Sequence, residues 1–379
     1  MSLSFWENNS FINYDFIIIG SGILGLSTAC EIKEKEPARS ILILEKGLFP
    51  TGASTKNAGF ACFGSLTEVL SDFNRIGEDA TIELVSRRYE GIDLLRKRLG
   101  DEMIGLLNYG GYELLIDERH IESIDKIDLI NSRLKSIFKN VVFEIKNEKI
   151  KEFGFNKDKV RSLVFSRFES QIDTGLMMSS LIDYAASIGI RIINGCDVEM
   201  INEKENYVKV ISNNYSGKDR LHFNARSVIV CTNAFTGRFF PDMKIKPGRG
   251  QVLITKPVEG LKFKGVFHFD EGYYYFRNFK DRIIFGGGRN KDFEKEETSE
   301  FDSNDLIIND LKDKLDNIIL PDQKYEIDYT WSGIMGFNDL KKPEIRNISD
   351  RIIYAMSCNG MGIALSPFIA KEIVSKINL

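Results

Sequence analysis

Three glycines and one acid carry the clearest chemistry in this chain. Gly20, Gly22 and Gly25 fit the spacing G-x-G-x-x-G within "YDFIIIGSGILGLSTACEI". Glu45 ends the next apolar run, "ILILE", twenty residues after Gly25. This is the arrangement that binds a dinucleotide. Gly20 allows a tight turn, Gly22 lets the backbone approach a pyrophosphate, and Gly25 lets a helix pack closely on the sheet. The N–H groups of the first helical turn and the helix dipole then meet the phosphate charge. Glu45 stands where such a fold places the acid that accepts ribose hydroxyl protons. A plain glycine-rich turn has the same spacing. Here strand, turn, helix, second strand and acid agree, and that context carries the assignment.

The elements that position these residues are legible nearby. Phe16 to Ile19 and Ile41 to Leu44 are short apolar runs of the buried parallel-strand kind. Spacings of three and four from Ile82 to Leu99 predict an amphipathic helix. "GGYELLI" reads as a strand, residues 121–138 as a helix and "VVFEI" as a strand. The charged stretch from Lys146 to Lys159 reads as solvated surface. Asp173 or Thr174 can cap a helix running through Ile188, before "GIRIINGCDVEMI" and a hairpin. "SVIVCTNAF" is another buried strand, and Tyr- and Phe-rich strands cover residues 266–285. The chain ends with a strand, a glycine turn and a helix in "RIIYAMSCNGMGIALSPFIAKEIVSKI".

Dinucleotide-type segments at start, middle and end predict two interleaved units. A cofactor domain is expected over 1–80, 150–240 and 330–379. A substrate domain is expected over 81–149 and 241–329. The 379 residues suffice for such an arrangement. With 51 basic against 55 acidic residues, no global field favours DNA. The five cysteines form no C-x-x-C pair, which argues against a disulfide framework and a zinc site. The first basic residue is Lys33, so no signal peptide is expected, and no run is long enough to span a membrane. These features point to the cytoplasm.

Nearly the whole chain resembles the D-amino-acid oxidase family of flavoproteins, which includes glycine oxidase, sarcosine oxidase and amino-acid dehydrogenases. The resemblance begins with the glycine motif and Glu45. It continues through "TGASTKNAGF", "QIDTGLMMSSLIDYAASIGIRIINGCDVEMI", "GRGQVLIT" and "GYYYFRNFKDRIIFGGGR". It ends in "WSGIMGF" and "CNGMGIALSP". It implies non-covalent FAD, a doubly wound α/β cofactor domain of the Rossmann type, and a mainly β substrate domain. At the cofactor it implies Gly20, Gly22, Ile23, Leu24, Gly25, Glu45 and Lys46. It adds Gly52, Ala53, Ser54, Thr55, Asn57, Ala58, Gly59 and Phe60 from the second segment. Val198, Cys231, Thr232 and Asn233 follow, then Gly333 and Met335, and finally Asn359, Gly360, Met361, Gly362 and Ile363. The last group precedes a helix, whose N–H groups suit negative charge.

The implied reaction is oxidation of a C–N bond in an amine or amino acid. A hydride passes to the flavin, the imine hydrolyses, and dioxygen or another acceptor removes the electrons. Substrate anchoring departs from the family. Two arginines that hold a carboxylate in relatives are replaced by Met335 and Cys358. Arg249, Arg277 and Arg289 are candidate substitutes. Alternation puts Tyr273, Tyr275 and Arg277 on one strand face. That face is either a wall over the flavin or a packed sheet surface with an exposed arginine. If the former, it suits a larger secondary amine, or an amine with a distant carboxylate. His268 lies nearby and reads as structural rather than catalytic. No cysteine lies between Trp331 and Phe337 to attach a flavin, and Ile284 stands where one branch carries a lysine for dioxygen. Oxidase and dehydrogenase both remain open. Other uses of this fold are a 2-hydroxyacid dehydrogenase, a tRNA-modifying amine oxidase, or a non-catalytic flavin-binding protein.

Overall fold

The computed structural model describes residues 4–213, 220–339, 342–356 and 359–377. Its first sheet is built around the strand Asn13–Ile19, whose last four residues are buried. Ile41–Leu44 pairs with it in parallel on one side and the long strand Arg220–Val230 on the other. Arg191–Ile193 and Ile352–Met356 extend the parallel set, and Glu344–Asn347 adds an antiparallel edge. The outer half of Arg220–Val230 also pairs with Val208–Asn213, which forms a hairpin with Asp197–Glu203.

Strand alternation sorts the side chains between two cores. Ile18, Ile43 and Ile229 pack with the helices Ile23–Lys35, Thr174–Ser187 and Gly362–Lys376. Ile17, Ile19, Leu42 and Leu44 turn to the other face, where Val208 and Val210 of the hairpin and Phe223 of Arg220–Val230 meet them. Both faces are therefore covered, as continuous apolar strands require. Asp173 caps the helix Thr174–Ser187 by accepting a hydrogen bond from Leu176 N at 3.0 Å.

The second sheet runs Ile327–Phe337, Lys246–Thr255, Arg282–Gly287, Tyr274–Phe279, Val266–Phe269, Gly111–Leu115, Ser162–Ser166 and Glu144–Ile145. One face is aromatic. Phe267 and Phe276 stack at 4.6 Å, and with Phe269, Tyr274 and Phe285 they pack against Ile307, Ile308 and Leu311 of the helix Asp305–Lys314. The alternate residues, His268, Tyr275, Arg277 and Ile284, turn the other way. That opposite face meets the first unit: Arg277 bonds the Ala58 carbonyl, and Ile284 packs with Ala58.

Several boundaries differ from the sequence expectation. Ser162–Ser166 pairs with Gly111–Leu115, so this part of 150–240 belongs to the second sheet. The strand Ile327–Phe337, which spans the expected boundary at 330, also lies there because it pairs along Lys246–Thr255. The helix Glu78–Leu99 sends Leu84, Ile92 and Leu95 into the core of the first unit. Residues 121–138 fold as a tight turn, Glu122–Lys126, and a helix, Ile127–Phe138. Of "VVFEI" only Glu144–Ile145 is strand. The charged stretch 146–159 forms the helix Glu148–Phe153 and buries Ile150, Phe153 and Phe155. Its polar residues face water while these three fill the aromatic core.

Two helices meet at an unusually short distance. A β-carbon on buried Gly91 would lie 1.8 Å from the Ala364 carbonyl oxygen in the helix Gly362–Lys376. Gly91→Ala is therefore expected to push this helix off its seat. Overpacking of this kind costs about 1–3 kcal/mol. A lowered melting temperature in that variant checks it; an unchanged one removes the constraint.

Candidate active site

The glycine turn is held by backbone contacts on all sides. Gly20 has φ +101° and donates its N–H to Leu44 O at 2.9 Å. A β-carbon on Gly20 would lie 2.8 Å from Cys231 O, and one on Gly25 would lie 2.0 Å from Gly20 O. Gly22 is the N-cap of the helix Ile23–Lys35 and supplies no side-chain cap. Ile23 N donates to Ser54 Oγ at 3.0 Å. The helix dipole at this end therefore faces a cavity that Gly22, Ile23 and Leu24 line.

Glu45 is buried at the end of Ile41–Leu44. Its Oε2 accepts from Ser21 N at 2.9 Å and Ser21 Oγ at 2.8 Å, and its Oε1 accepts from Gly47 N at 2.9 Å. A carboxylate offers about four lone-pair directions, so capacity remains on the side that lines the cavity. Glu45 thus also pins the glycine turn to the loop that follows it.

The loop 52–60 folds on its own polar groups. Asn57 Nδ2 donates to Ser54 O at 2.7 Å, while Asn57 Oδ1 accepts from Gly59 N at 2.9 Å and Thr174 Oγ1 at 2.8 Å. Gly59 has φ +77°, and its β-carbon would lie 2.4 Å from Ile172 O. Thr55 Oγ1 donates to Pro50 O at 2.7 Å. Trp331 Nε1 donates to Lys56 O at 2.9 Å, which joins the loop to the second sheet.

The C-terminal cradle mirrors the first turn. Asn359 and Gly360 have φ of 56° and 88°. Asn359 N donates to Gly336 O at 3.0 Å, and Asn359 Oδ1 accepts from Asn338 N at 3.1 Å. The helix Gly362–Lys376 then starts at Met361 with no side-chain cap. Cys358 lies outside the described residues.

These pieces enclose a cavity of about 860 Å³. Lys46, Gly52, Ala53, Ser54, Asn57, Ala58 and Phe60 line it, as do Val198, Cys231, Thr232 and Asn233. Gly333, Met335 and the run Asn359 to Ile363 complete the expected set. β-carbons on Gly52 and Gly360 would stand in open space, and Asn233 Oδ1 and Asn359 Nδ2 have no hydrogen-bond partner among the described residues. Two helix starts whose N-cap residues supply no side-chain acceptor, a buried acid and unpartnered amide groups fit a large anionic dinucleotide cofactor.

Five expected residues do not line the cavity. Gly25, Thr55 and Gly59 shape the backbone behind it. Tyr273 precedes the strand and packs on Phe293, so it does not join the face formed by Tyr275 and Arg277. Arg277 is 3% exposed and donates from Nε to Ala58 O and from Nη1 to Asn278 O at 3.2 Å. Burial pulls its guanidinium down to about 10. It is a clamp on the loop, neither a surface arginine nor a wall of the cavity. Tyr275 does line the cavity, against Phe60 at 5.6 Å, and burial pushes its phenol up to about 12.

Other lining residues escaped the sequence reading, including Lys56, Cys62, Glu68 and Phe301. They flank the motifs or come from unrelated segments, and no spacing marks them. His268 also lines the cavity, edge-on to Phe60 at 5.2 Å. Its Nε2 lies 3.1 Å from Glu169 Oε2. Burial opposes the charged imidazole, but Glu169, helped by Glu68 and Glu113, outweighs it and pushes the ring up to about 9. Burial also pushes the neighbouring Cys62 thiol up, so it stays protonated.

Comparison with known proteins now decides the family. Residues 15–376 match the model of the DAO family, described as FAD dependent oxidoreductase. The chain belongs to that family. A probable oxidoreductase, OrdL, of Haemophilus influenzae is 23% identical over 393 aligned residues, covering 96% of this chain and 82% of that protein. L-proline dehydrogenase from P. horikoshii superposes with a TM-score of 0.77 at 16% identity, covering 96% of this chain and 94% of that one. Glycine oxidase from Geobacillus kaustophilus gives 0.74 at 19% identity, covering 97% and 94%. These structural likenesses establish the fold. The chain is an FAD-dependent oxidoreductase. Among the described residues, no helix is long and apolar enough to cross a membrane.

Glu45→Ala is expected to weaken FAD binding about tenfold or more, since one charge-assisted hydrogen bond is worth about 1.5–3 kcal/mol. Fluorescence titration of the FAD-free protein measures this; unchanged affinity removes Glu45 from the site. A second expectation concerns pH. The raised imidazole of His268 stabilises the fold fully below its ordinary value of 6.5, and that contribution is lost as pH rises through about 9. The fall in melting temperature over this window should flatten in His268→Gln. An equal fall in both proteins refutes the assignment.

Proposed function

We propose that the chain oxidises a C–N bond of a small amine or amino acid, using non-covalently bound FAD. One observation carries this reading. The same cavity that two helix starts and Glu45 line at the first sheet receives Tyr275 and His268 from the second. FAD supplies a two-electron acceptor for a hydride from the carbon beside the amine. The chain's own residues do the positioning. Phe60 and Tyr275 form an aromatic corner that excludes water. The peptide N–H groups at the start of Gly362–Lys376 favour negative charge beside them. The substrate leaves as an imine, and water hydrolyses it.

The arginines disfavour a 2-hydroxyacid substrate, which needs an anion clamp: Arg238 lines the cavity but is paired with Asp197, and the three candidate substitutes are engaged elsewhere. Arg249 is bound to Glu296 at 2.8 Å and 3.0 Å, Arg277 holds the loop, and Arg289 lies 4.2 Å from the Phe337 ring. None of the three lines the cavity. Non-covalent attachment is favoured by the buried thiols. Cys62 and Cys196 border the cavity, and burial raises both above the range where a thiolate forms readily.

Anaerobic mixing of the yellow holoenzyme with amines, amino acids and 2-hydroxyacids tests the proposal. Amines or amino acids should bleach the flavin, and acid precipitation should leave the colour in the supernatant. Bleaching by 2-hydroxyacids alone, or by nothing in the panel, overturns the reaction; colour in the pellet overturns the non-covalent assignment.

A further inference from the structure

We propose that the end of the cavity lined by Glu68 and His268, with Glu169 behind the imidazole, receives a second protonated amine, so that a diamine is preferred over an amino acid. This rests on the amine-oxidising reading above and names its substrate class.

The charge inventory carries the argument. Glu68 lines the cavity beside Gly272, whose β-carbon would lie 2.8 Å from Glu68 Oε1. Its Oε2 accepts from Ser65 N at 3.0 Å. Its Oε1 has no hydrogen bond, and the carboxylate has no ion pair, among the described residues. Glu169 is 2% exposed, and its Oε1 is likewise unpartnered among the described residues. Its carboxylate lies within 4.8 Å of Cys62 Sγ and a His268 ring nitrogen, both on lining residues. Glu113, behind them, accepts from Ser65 Oγ at 2.8 Å and Thr67 N at 3.1 Å, and burial raises its pKa.

The cations do not balance this set. His268 matches one carboxylate, Glu169. Buried Arg88 donates to Phe63 O at 2.8 Å and faces Asp72 at 3.9 Å. Lys56 borders the cavity, but its ammonium sits 5.1 Å from the Phe301 ring. Glu68 is therefore left as an unpaired negative charge on the wall, with a second unfilled acceptor behind it. An ammonium group supplies the missing donors and charge, whereas a substrate carboxylate meets repulsion.

Three four-carbon probes separate the cases: 1,4-diaminobutane, butylamine and 4-aminobutanoate. Anaerobic flavin reduction should half-saturate at about tenfold lower diamine than butylamine, one charge-assisted contact, with 4-aminobutanoate weakest. Glu68→Gln keeps the helix cap, because glutamine also serves at this position. It should bring the diamine-to-monoamine ratio towards one, as should Glu169→Gln. Thermal shift with the same three probes reads binding without turnover and should follow the same order. An unchanged ratio in both variants, or 4-aminobutanoate matching the diamine, overturns the inference. If amino acids bleach the flavin and 1,4-diaminobutane does not, the substrate class fails while the amine-oxidising reading stands. If no amine or amino acid does, both fail.

Discussion

One buried guanidinium joins the two halves of this molecule. Arg277 leaves the second sheet and bonds the carbonyl of Ala58, in the loop that follows the first sheet's Ile41–Leu44 strand. Among the described residues it has no carboxylate in hydrogen-bond contact, and burial works against its charge. A cation so placed is stable only while its donors are filled. The loop must therefore keep its shape, with Gly59 in the left-handed region and too close to Arg277 Nη2, at 2.7 Å from a β-carbon, for any side chain. Asn57 and Thr174 fix the same loop from the helix side. The cavity wall is thus a joint product of both units, and neither core alone would hold it.

The cavity is also electrically graded. Where the first sheet borders it, the helix Ile23–Lys35 begins without a side-chain cap, and the helix Gly362–Lys376 begins the same way. Both starts put partial positive charge on the space reserved for an anionic cofactor. Near the second sheet, Glu68 and the His268 imidazole line it, Glu169 stands behind the imidazole, and Lys56 lies beside Gly333. The proposed amine site therefore lies at the end that the second sheet borders.

Much of this was readable because some constraints are local. Gly20, Gly22 and Gly25 act within one strand, one turn and one helix, so their spacing suffices. Tyr275 and Arg277 were correctly placed on one face by alternation, since period two is a property of the strand itself. What that face meets is not local. Arg277 reaches a loop more than two hundred residues earlier in the chain, and no pattern near "YYYFRNF" shows it. Ser162–Ser166 reads as a strand from its residues, but its partner, Gly111–Leu115, decides which sheet it joins. The stretch 146–159 reads as surface by charge, while three apolar residues among the lysines do the packing. Cys62, Glu68 and Glu169 come together from two loops and a helix, so their meeting is a property of the fold.

Arg277's commitment has a consequence for specificity. On the strand face that turns to the first unit, Arg277 is the arginine, and it is spent on a backbone carbonyl. Arg249 is spent on Glu296, and Arg289 on aromatic rings. Met335 supplies a thioether beside Gly250, with no charge. The imidazole of His268 is positive but already faces Glu169 at 3.1 Å. A small anion entering this space would have to displace an existing partner at each of these cations. Breaking a buried charged pair leaves an uncompensated charge and costs several kcal/mol. A cation entering the same space breaks nothing, because acceptors on Glu68 and Glu169 are unfilled. The proposed preference for a second amine rests on this asymmetry between adding a partner and removing one, more than on the net charge.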